Sequence, residues 1–272
     1  MSIRLLLAAW LGFVTFGQAD SFDKNKLVAW CIVPFDAKKR NPAERVEMLK
    51  QLGLKRVAYD WRAEHVVEFE EEILQYKKNN IEFFAFWSTH PEAFRLFKKY
   101  NIRPQIWRTA SSPINPEQHA KIDVAVQGLL PLVEETRKLG CKLGLYNHGG
   151  WGGEPKNLVA VCESLRKHHK ADHVGIVYNL HHGHNHIAGF EQSLKLMQPY
   201  LLCLNLNGMN NGAKPKILPL GQGLHDDKIM RIIQKSGYKG PIGILDHRSD
   251  TDAKVALQQN LDGLKILLTE SK

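Results

Sequence analysis

The sequence KLGLYNHGGWGGEPKNLVAVCESLRKHH at residues 142–169, continued by VGIVYN at residues 174–179, holds one full repeat of the pattern that runs through the chain. The short apolar run 142–147 has the length and composition of a buried strand. Residues 155–169 have the spacing of an amphipathic helix, and Pro155 stands at its first position, where proline is favoured. A second apolar run follows. This order predicts two parallel strands joined by a crossover helix.

The same pattern occurs eight times along the 272 residues. Eight strand–helix units in one chain of this length predict a closed (βα)8 TIM barrel. An open doubly wound sheet is the alternative, but it normally has a glycine-rich turn after its first strand, and here Val33-Pro34-Phe35-Asp36 follows. The predicted strands are 27–35, 54–61, 81–87, 104–107, 142–147, 174–179, 201–207 and 241–246, and the predicted helices are 42–53, 65–79, 91–100, 116–140, 155–169, 190–198, 226–236 and 252–268.

The first nineteen residues have the composition of a secretory signal peptide. Arg4 precedes an apolar run at 5–16 that is too short to span a bilayer, and small residues stand before the expected cleavage site between Ala19 and Asp20. A retained amphipathic anchor is the alternative. We therefore expect a signal peptide at 1–19, a single barrel domain at 20–272, and export to the periplasm or the cell exterior.

Composition excludes several classes of protein. With 43% hydrophobic and 24% charged residues, the chain is neither disordered nor a multi-pass membrane protein. Its formal net charge is +9, but the lysines are spread over the predicted helices, so we expect no nucleic-acid partner, and no membrane contact beyond the signal peptide. The four cysteines form no C-x-x-C pair, and we expect them to be buried free thiols: Cys31, Cys141, Cys162 and Cys203.

Histidines are concentrated where the predicted strands five, six and eight end. In a TIM barrel the reacting groups gather at these carboxyl ends. Imidazole titrates near neutral pH and is a common metal ligand, so these side chains are candidates for acid–base catalysis or for one divalent metal. A merely polar loop is the third interpretation. The catalytic candidates are His148, His182 and His247, and the metal-ligand candidates are His148, His181, His182, His184, Asp246 and His247.

Other polar and aromatic residues at strand ends suit a carbohydrate. Asparagine can donate to and accept from vicinal hydroxyl groups, and tryptophan offers a flat apolar face to a sugar ring. Both residue types also occur as ordinary structural groups. The predicted substrate-binding residues are Asp60, Arg62, Trp87, Trp107, Arg108, Asn147, Trp151, Asn179, Asn205 and Asn207.

Four motifs carry a family resemblance: GLYNHGG at 144–150, NLHH at 179–182, LPLGQG at 218–223 and GYKGPI at 237–242. With them the chain resembles the xylose-isomerase-like TIM barrel superfamily, which contains sugar isomerases, epimerases and apurinic-endonuclease-like proteins. The resemblance covers essentially all of the chain after residue 19.

The resemblance implies a single divalent metal held by a glutamate, an aspartate, a histidine and a glutamate on strands five to eight. This chain departs from that set, because the corresponding positions hold Tyr146, Asn179, Asn205, and Leu245 or Asp246. Neutral amides and a phenol replace carboxylates poorly around a hard dication, so we expect the usual metal site to be lost. His182 matches a histidine that contacts substrate in the family.

These observations predict an exported isomerase- or epimerase-like enzyme that removes a proton next to the carbonyl of a sugar or keto-sugar, by isomerisation, epimerisation or elimination. His148 or His182 is the expected base, and the other of the two, or His247, stabilises the enediolate. A relocated divalent metal and metal-free catalysis both stay open. The alternatives are a non-catalytic sugar-binding barrel and, less favoured because carboxylates are missing, an endonuclease-like phosphodiesterase.

Overall fold

The computed structural model describes residues 23–245 and 247–270. Eight parallel strands pair in chain order, and β8 pairs with β1 to close the ring. The predicted (βα)8 barrel is thereby confirmed. The predicted signal peptide at 1–19 and the predicted metal ligand Asp246 lie outside the described residues.

Most of the observed strands are shorter than predicted, because residues at one or both of their ends belong to loops. Among the described residues, no helix has both the length and the apolar character needed to cross a bilayer. The strands are β1 Leu27–Trp30, β2 Arg56–Tyr59, β3 Glu82–Trp87, β4 Gln105–Thr109, β5 Leu143–Tyr146, β6 Val174–Asn179, β7 Leu201–Leu206 and β8 Ile242–Leu245, and the helices are α1 Pro42–Leu52, α2 Phe69–Lys78, α3 Pro91–Tyr100, α4 Gln118–Leu139, α5 Pro155–His169, α6 Phe190–Met197, α7 Asp226–Lys235 and α8 Ala253–Glu270.

Local sequence explains where the helices begin and end. At the start of α1, the side chain of Asn41 accepts from the Glu44 amide, and the Glu44 carboxylate accepts from the Asn41 amide. This reciprocal pair satisfies donors that a helix end leaves free. Gly53 and Gly140 end α1 and α4 with φ of 65° and 67°, a region that glycine enters without strain. Helix α4 begins at Gln118, two residues after the predicted start.

Two apolar layers hold the barrel together. The larger layer lies between the strands and the surrounding helices, and the smaller one fills the inside of the barrel with residues such as Trp30, Trp107 and Cys203. The rings of Trp30 and Trp107 meet edge-on with centroids 4.9 Å apart. All four cysteines are buried, and no disulfide joins them, as predicted. Because the interior is filled with side chains, a ligand has room only at the mouth.

A buried ion pair joins α1 to α2. Nη2 of Arg45 lies 2.6 Å from Oε2 of Glu72, and Nε of Arg45 lies 3.1 Å from both Glu72 oxygens. Arg45 also donates to Glu68 at 2.8 Å and to the carbonyl oxygen of Arg40. Both charges of the pair are therefore fully hydrogen-bonded, as buried charges must be to persist.

Candidate active site

A polar cavity opens at the carboxyl ends of the strands. It has an outer part of about 590 Å³ and an inner part of about 150 Å³. Four histidines line both parts, namely His148, His181, His182 and His247. The cavity therefore lies where a barrel of this kind places its reactive groups.

Three strand ends bring these histidines together. His148 follows β5, His181 and His182 form a short 3-10 turn after β6, and His247 follows β8. The ring centroids of His148 and His182 are 4.4 Å apart, those of His181 and His182 are 4.7 Å apart, and those of His181 and His247 are 5.1 Å apart. The predicted convergence of these four side chains is thus found in the structure.

The inner histidines are neutral at physiological pH. Burial lowers the pKa of His181 to about 2, that of His182 to about 3 and that of His247 to about 4. Nearby positive groups, among them Lys216, add to the effect of burial on all three. A neutral imidazole has one N–H donor and one free acceptor, so each ring offers a ligand both kinds of hydrogen bond.

Asp60 lies at the inner part of the cavity and is almost completely buried, with 2% exposure. Its Oδ1 has no hydrogen-bond partner among the described residues, and its Oδ2 lies 4.0 Å from Nη1 of Arg62. Burial raises the pKa of this carboxyl group to about 7, although the Arg62 charge, backbone N–H groups and the Cys31 thiol partly oppose the rise. A carboxyl group poised near neutral pH can both accept and donate a proton there.

Aromatic residues form an apolar wall beside these polar groups. Trp87 and Tyr146 line the inner cavity, and their ring centroids are 4.6 Å apart. Trp30 also lines it and packs edge-on against Trp87 at 6.5 Å. The predicted role of Trp87 as a platform for the apolar face of a sugar is consistent with this position.

Asn147 and Asn179 use their side chains within the protein. Oδ1 of Asn147 accepts from the Asn179 amide at 2.6 Å, and its Nδ2 donates to the Asn179 carbonyl oxygen at 3.0 Å. Asn179 in turn donates to the Tyr146 hydroxyl and accepts from the His181 amide at 3.0 Å. These two asparagines therefore join β5 to β6 and orient the turn that carries His181. Of the two, Asn179 lines the cavity.

Asn205 and Asn207 are not among the residues that line the cavity. Both are buried, and a Cβ atom on Gly243 would lie 1.9 Å from Oδ1 of Asn205, so this amide occupies space inside the barrel that a glycine leaves free. Nδ2 of Asn207 donates to the carbonyl oxygens of Gly208 and Lys216 at 2.8 and 3.0 Å. Asn207 thereby holds the loop after β7.

Three further residues that the sequence predicted to bind substrate also lie away from the cavity lining. Trp107 is fully buried inside the barrel, and its Nε1 donates to Gln105 at 2.9 Å. Trp151 packs towards α4, where its Nε1 donates to Gln118 at 3.0 Å. Arg108 is exposed and donates to Ser88 at 2.6 Å. A strand-end position therefore did not by itself bring a side chain into the cavity.

The two outer histidines, His184 and His186, form hydrogen bonds to other parts of the protein. Nδ1 and Nε2 of His184 lie 3.0 and 3.2 Å from the carbonyl oxygens of Asn210 and Lys216. His186 lies between the Tyr178 hydroxyl, at 2.7 Å, and the Glu154 carboxylate, at 3.1 Å. His184 borders the outer part of the cavity, whereas its ring nitrogens face backbone carbonyl oxygens.

Sequence reasoning missed Trp30, Cys31 and Lys216 as cavity residues. The strand-end rule would have found the first two, but the predicted first strand was extended to residue 35, five residues beyond the observed end of β1. Asp36, which follows that predicted strand, instead forms an ion pair with Arg40 at 2.8 Å. Lys216 lies on the loop after β7, where the sequence favoured a solvent-facing position over contact with an anionic group.

The described residues do not fit the divalent-metal site that the family resemblance implies. The corresponding positions Tyr146, Asn179, Asn205 and Leu245 contribute no carboxylate. Within residues 23–245 and 247–270, no three side chains of histidine, cysteine, aspartate or glutamate converge on a point that an ion could occupy. We therefore assign no catalytic step to a metal.

The fold and the site together define a barrel of the sugar-isomerase architecture with its own set of polar residues. The family model described as xylose isomerase-like TIM barrel matches residues 22–267. The chain belongs to this family. A search of curated proteins by sequence finds no match.

Solved structures of similar fold include sugar epimerases. The apo form of a 3-keto-D-glucoside 4-epimerase from E. coli has a TM-score of 0.62 and 14% identity, over 90% of this chain and 99% of that one. An L-ribulose 3-epimerase has a TM-score of 0.68 and 10% identity, over 90% and 95%. The IOLI protein, solved with a bound zinc atom, has a TM-score of 0.69 and 13% identity, over 90% and 99%. At these identities the likeness shows the fold.

Proposed function

We propose that the protein is an exported, isomerase- or epimerase-like enzyme that removes a proton from the carbon next to the carbonyl of a sugar or keto-sugar. The observation that carries this proposal is the Asp60 carboxyl group, which is buried in the cavity with a pKa of about 7 and faces neutral imidazoles. Enzymes tune acids and bases towards neutral pH in this way. Family membership and the epimerase neighbours support the same reaction class.

Asp60 is the best-placed base for this step. Its Oδ1 has no partner among the described residues, so it is free to accept a proton from substrate carbon. The sequence favoured His148 or His182 as the base. However, His182 has a pKa of about 3, and so weakly basic an imidazole removes a carbon-bound proton poorly.

The neutral histidines suit the opposite task. When a proton leaves the carbon, negative charge develops on the carbonyl oxygen as the enediolate forms. A neutral N–H donor placed beforehand in a dry site stabilises that oxygen without needing a proton from solvent. His181 and His182 fit this role, and the buried Nδ1 of His181 has no partner among the described residues. His148 and His247 complete the polar wall.

The reacting groups stand on opposite walls of the barrel. Asp60 follows β2 and His182 follows β6, which are four positions apart in a ring of eight strands. Asp60 removes the proton, and the protonated carboxyl group can return it to the neighbouring carbon of the enediolate, which is the proton transfer of an isomerisation. Epimerisation needs a proton donor on the opposite face, and a neutral imidazole is too weak an acid to supply that proton itself.

Export is proposed from the sequence of residues 1–19 alone. The proposed localisation is the periplasm or the cell exterior.

The test is proton exchange in deuterium oxide. A panel of keto-sugars and aldoses is incubated with the purified protein, and loss of the proton next to the carbonyl is followed by NMR. We expect exchange or conversion of at least one sugar, and we expect His182→Ala to slow it at least about 10²-fold. His186→Asn, on the same loop but outside the cavity lining, is the matched control and keeps the wild-type rate.

Two results would overturn the proposal. Saturable sugar binding, measured by calorimetry, without exchange of any sugar would make the protein a non-catalytic sugar-binding barrel. A wild-type exchange rate in His182→Ala would remove this imidazole from the mechanism.

A further inference from the structure

The described residues that line the cavity carry an excess of positive charge. Arg62 and Lys216 are permanent cations, and Asp60 is the one carboxylate-bearing residue in the described lining. Because burial raises the pKa of Asp60 to about 7, this group supplies at most a partial negative charge at neutral pH. Asp246, next to the cavity residue His247, lies outside the described residues.

Lys216 is held at the mouth by its backbone. Its carbonyl oxygen lies 3.2 Å from Nε2 of His184 and accepts from Nδ2 of Asn207 at 3.0 Å. Two buried polar side chains from the β6 and β7 ends thus fix the loop that carries this lysine. Lys216 lines the outer part of the cavity together with His181, His182 and His247.

Arg62 is likewise available to a ligand. Its Nη1 donates to the carbonyl oxygen of Trp61 at 2.7 Å, and its guanidinium lies over the ring of Phe35 at 5.4 Å. Within the described part of the chain, its only ion-pair contact is the 4.0 Å approach to Asp60. Lys216 has no ion pair with a described residue. Two cations in one cavity, with Asp60 at 4.0 Å from Arg62 as the one acidic group of the described lining, attract an anionic group.

The same residues explain why the site differs from a metal centre. Positions that would need carboxylates to hold a dication are filled by Tyr146 and Asn179, and permanent cations stand beside them. The electrostatic field of these cations repels a divalent metal ion and attracts an anion. The absence of carboxylates at these positions and the presence of the two cations therefore favour the same kind of ligand.

We propose that the substrate of this cavity is a sugar that carries an acidic group, held by Lys216 and Arg62 while its carbonyl end reaches Asp60 and the histidines. This proposal rests on the proposed function for the reacting end of the substrate. The shared chemistry is an oxyanion on a sugar, which a carboxylate, a sulfate or a phosphate can supply.

The test compares matched sugars by isothermal titration calorimetry at two salt concentrations. Each pair has the same ring configuration and differs at C6, where a carboxylate replaces a CH2OH group: galacturonate against galactose and glucuronate against glucose, with glucose 6-sulfate and glucose 6-phosphate as the other oxyanions. We expect at least one acidic sugar to bind at least about tenfold more tightly than its neutral partner, and the preference to shrink at high salt. The comparison among the four anions identifies the oxyanion.

Variants test which residues cause the preference for acidic sugars. Lys216→Gln combined with Arg62→Gln removes it, whereas Lys214→Gln, an exposed lysine on the same loop that does not line the cavity, keeps it. Circular dichroism of each variant confirms that it is folded. Equal affinity for acidic and neutral sugars, or a preference that survives in the double variant, would overturn the inference.

This experiment separates the two proposals. If neutral sugars exchange protons and acidic ones bind no better, the proposed reaction stands and the substrate class is wrong. If acidic sugars bind through Lys216 and Arg62 but no sugar exchanges a proton, the substrate class stands and the proposed reaction is wrong.

Discussion

Glu72 and Asp60 are both carboxyl groups removed from water, yet their surroundings differ. Glu72 is completely buried between α1 and α2 and receives three hydrogen bonds from the guanidinium of Arg45. Asp60 is equally inaccessible at the base of the cavity, but its nearest cation is 4.0 Å away and one oxygen has no described partner.

The different surroundings give the two carboxyl groups different roles, one structural and one chemical. A buried charge with a complete set of partners is fixed in one protonation state and contributes to the architecture. A buried carboxyl group without such partners holds its proton up to about pH 7, so it can exchange that proton with a ligand. Burial alone therefore does not mark a functional group; at Asp60 burial is combined with the lack of a close counter-ion and a place in the cavity lining.

The largest effect on stability is expected at the Arg45–Glu72 pair, where the buried carboxylate has its full set of hydrogen bonds. Arg45→Met leaves the Glu72 charge buried without a counter-ion and lowers the free energy of unfolding by about 3–5 kcal/mol. Urea unfolding followed by circular dichroism measures this loss. The double variant Arg45→Met, Glu72→Met recovers most of it, because no uncompensated charge is left. Arg95→Met removes an exposed ion pair with Glu92 and leaves stability unchanged, and a similar loss in both single variants would contradict the interpretation.

Asp60 is expected to make stability fall as pH rises. Its pKa is about 7 in the folded protein against an ordinary value of 3.8, so between these two pH values the folded state binds more protons than the unfolded state. Wild type therefore loses stability relative to Asp60→Asn across this window, by on the order of 4 kcal/mol at most. Urea unfolding of both proteins at several pH values from 4.5 to 8 gives the difference. A difference that does not change with pH would show that Asp60 has an ordinary pKa.

Activity gives the next largest effect. Asp60→Asn removes the proposed base and lowers kcat at least about 10²-fold, or roughly 2.7 kcal/mol of barrier. In the wild type, kcat/KM falls below about pH 7 because the base becomes protonated. Glu64→Gln, an exposed carboxylate shortly after β2, is the matched control. Steady-state rates on the sugar found by proton exchange test this, and an active Asp60→Asn enzyme would exclude the assignment.

The smallest expected effect measures how strongly the charge of Arg62 acts on Asp60. The charge of Arg62 lowers the pKa of Asp60, so Arg62→Met raises that pKa and moves the acidic limb of the kcat/KM profile to higher pH. Because Arg62 is partly exposed and 4.0 Å away, the shift is less than about one pH unit. A larger shift would make Arg62 a partner of the kind that Arg45 is for Glu72, and a shift to lower pH would contradict the geometry.

The sequence predicted the fold because its evidence is local. Apolar runs alternate with segments of helical period, and caps such as Asn41 with Pro42 mark where helices start. It also predicted the convergence of His148, His181, His182 and His247, since the ends of parallel strands in a barrel meet at one face. Local pattern and topology were sufficient for both.

Depth within the barrel and loop position could not be predicted in the same way. Trp107 and Trp87 both stand near strand ends, yet Trp107 fills the interior and Trp87 borders the cavity. Lys216 reaches the mouth because His184 and Asn207 hold its backbone, a contact between residues far apart in the loops. Such positions depend on packing and on hydrogen bonds between residues far apart in the chain. Neither produces a periodic pattern in the sequence.

By itself, then, the sequence determined the eightfold strand–helix alternation, the barrel and the face on which the histidines meet, because each follows from the spacing of apolar residues and the direction of parallel strands. Only the tertiary structure decided which polar groups have partners. Asp60 and Glu72 are both acidic residues near apolar neighbours in the chain, and the folded arrangement alone gives Arg45 to Glu72 and leaves Asp60 facing the cavity. The physical reason is that a pKa depends on the charges and solvent that surround a group in space, and the chain order does not contain that information.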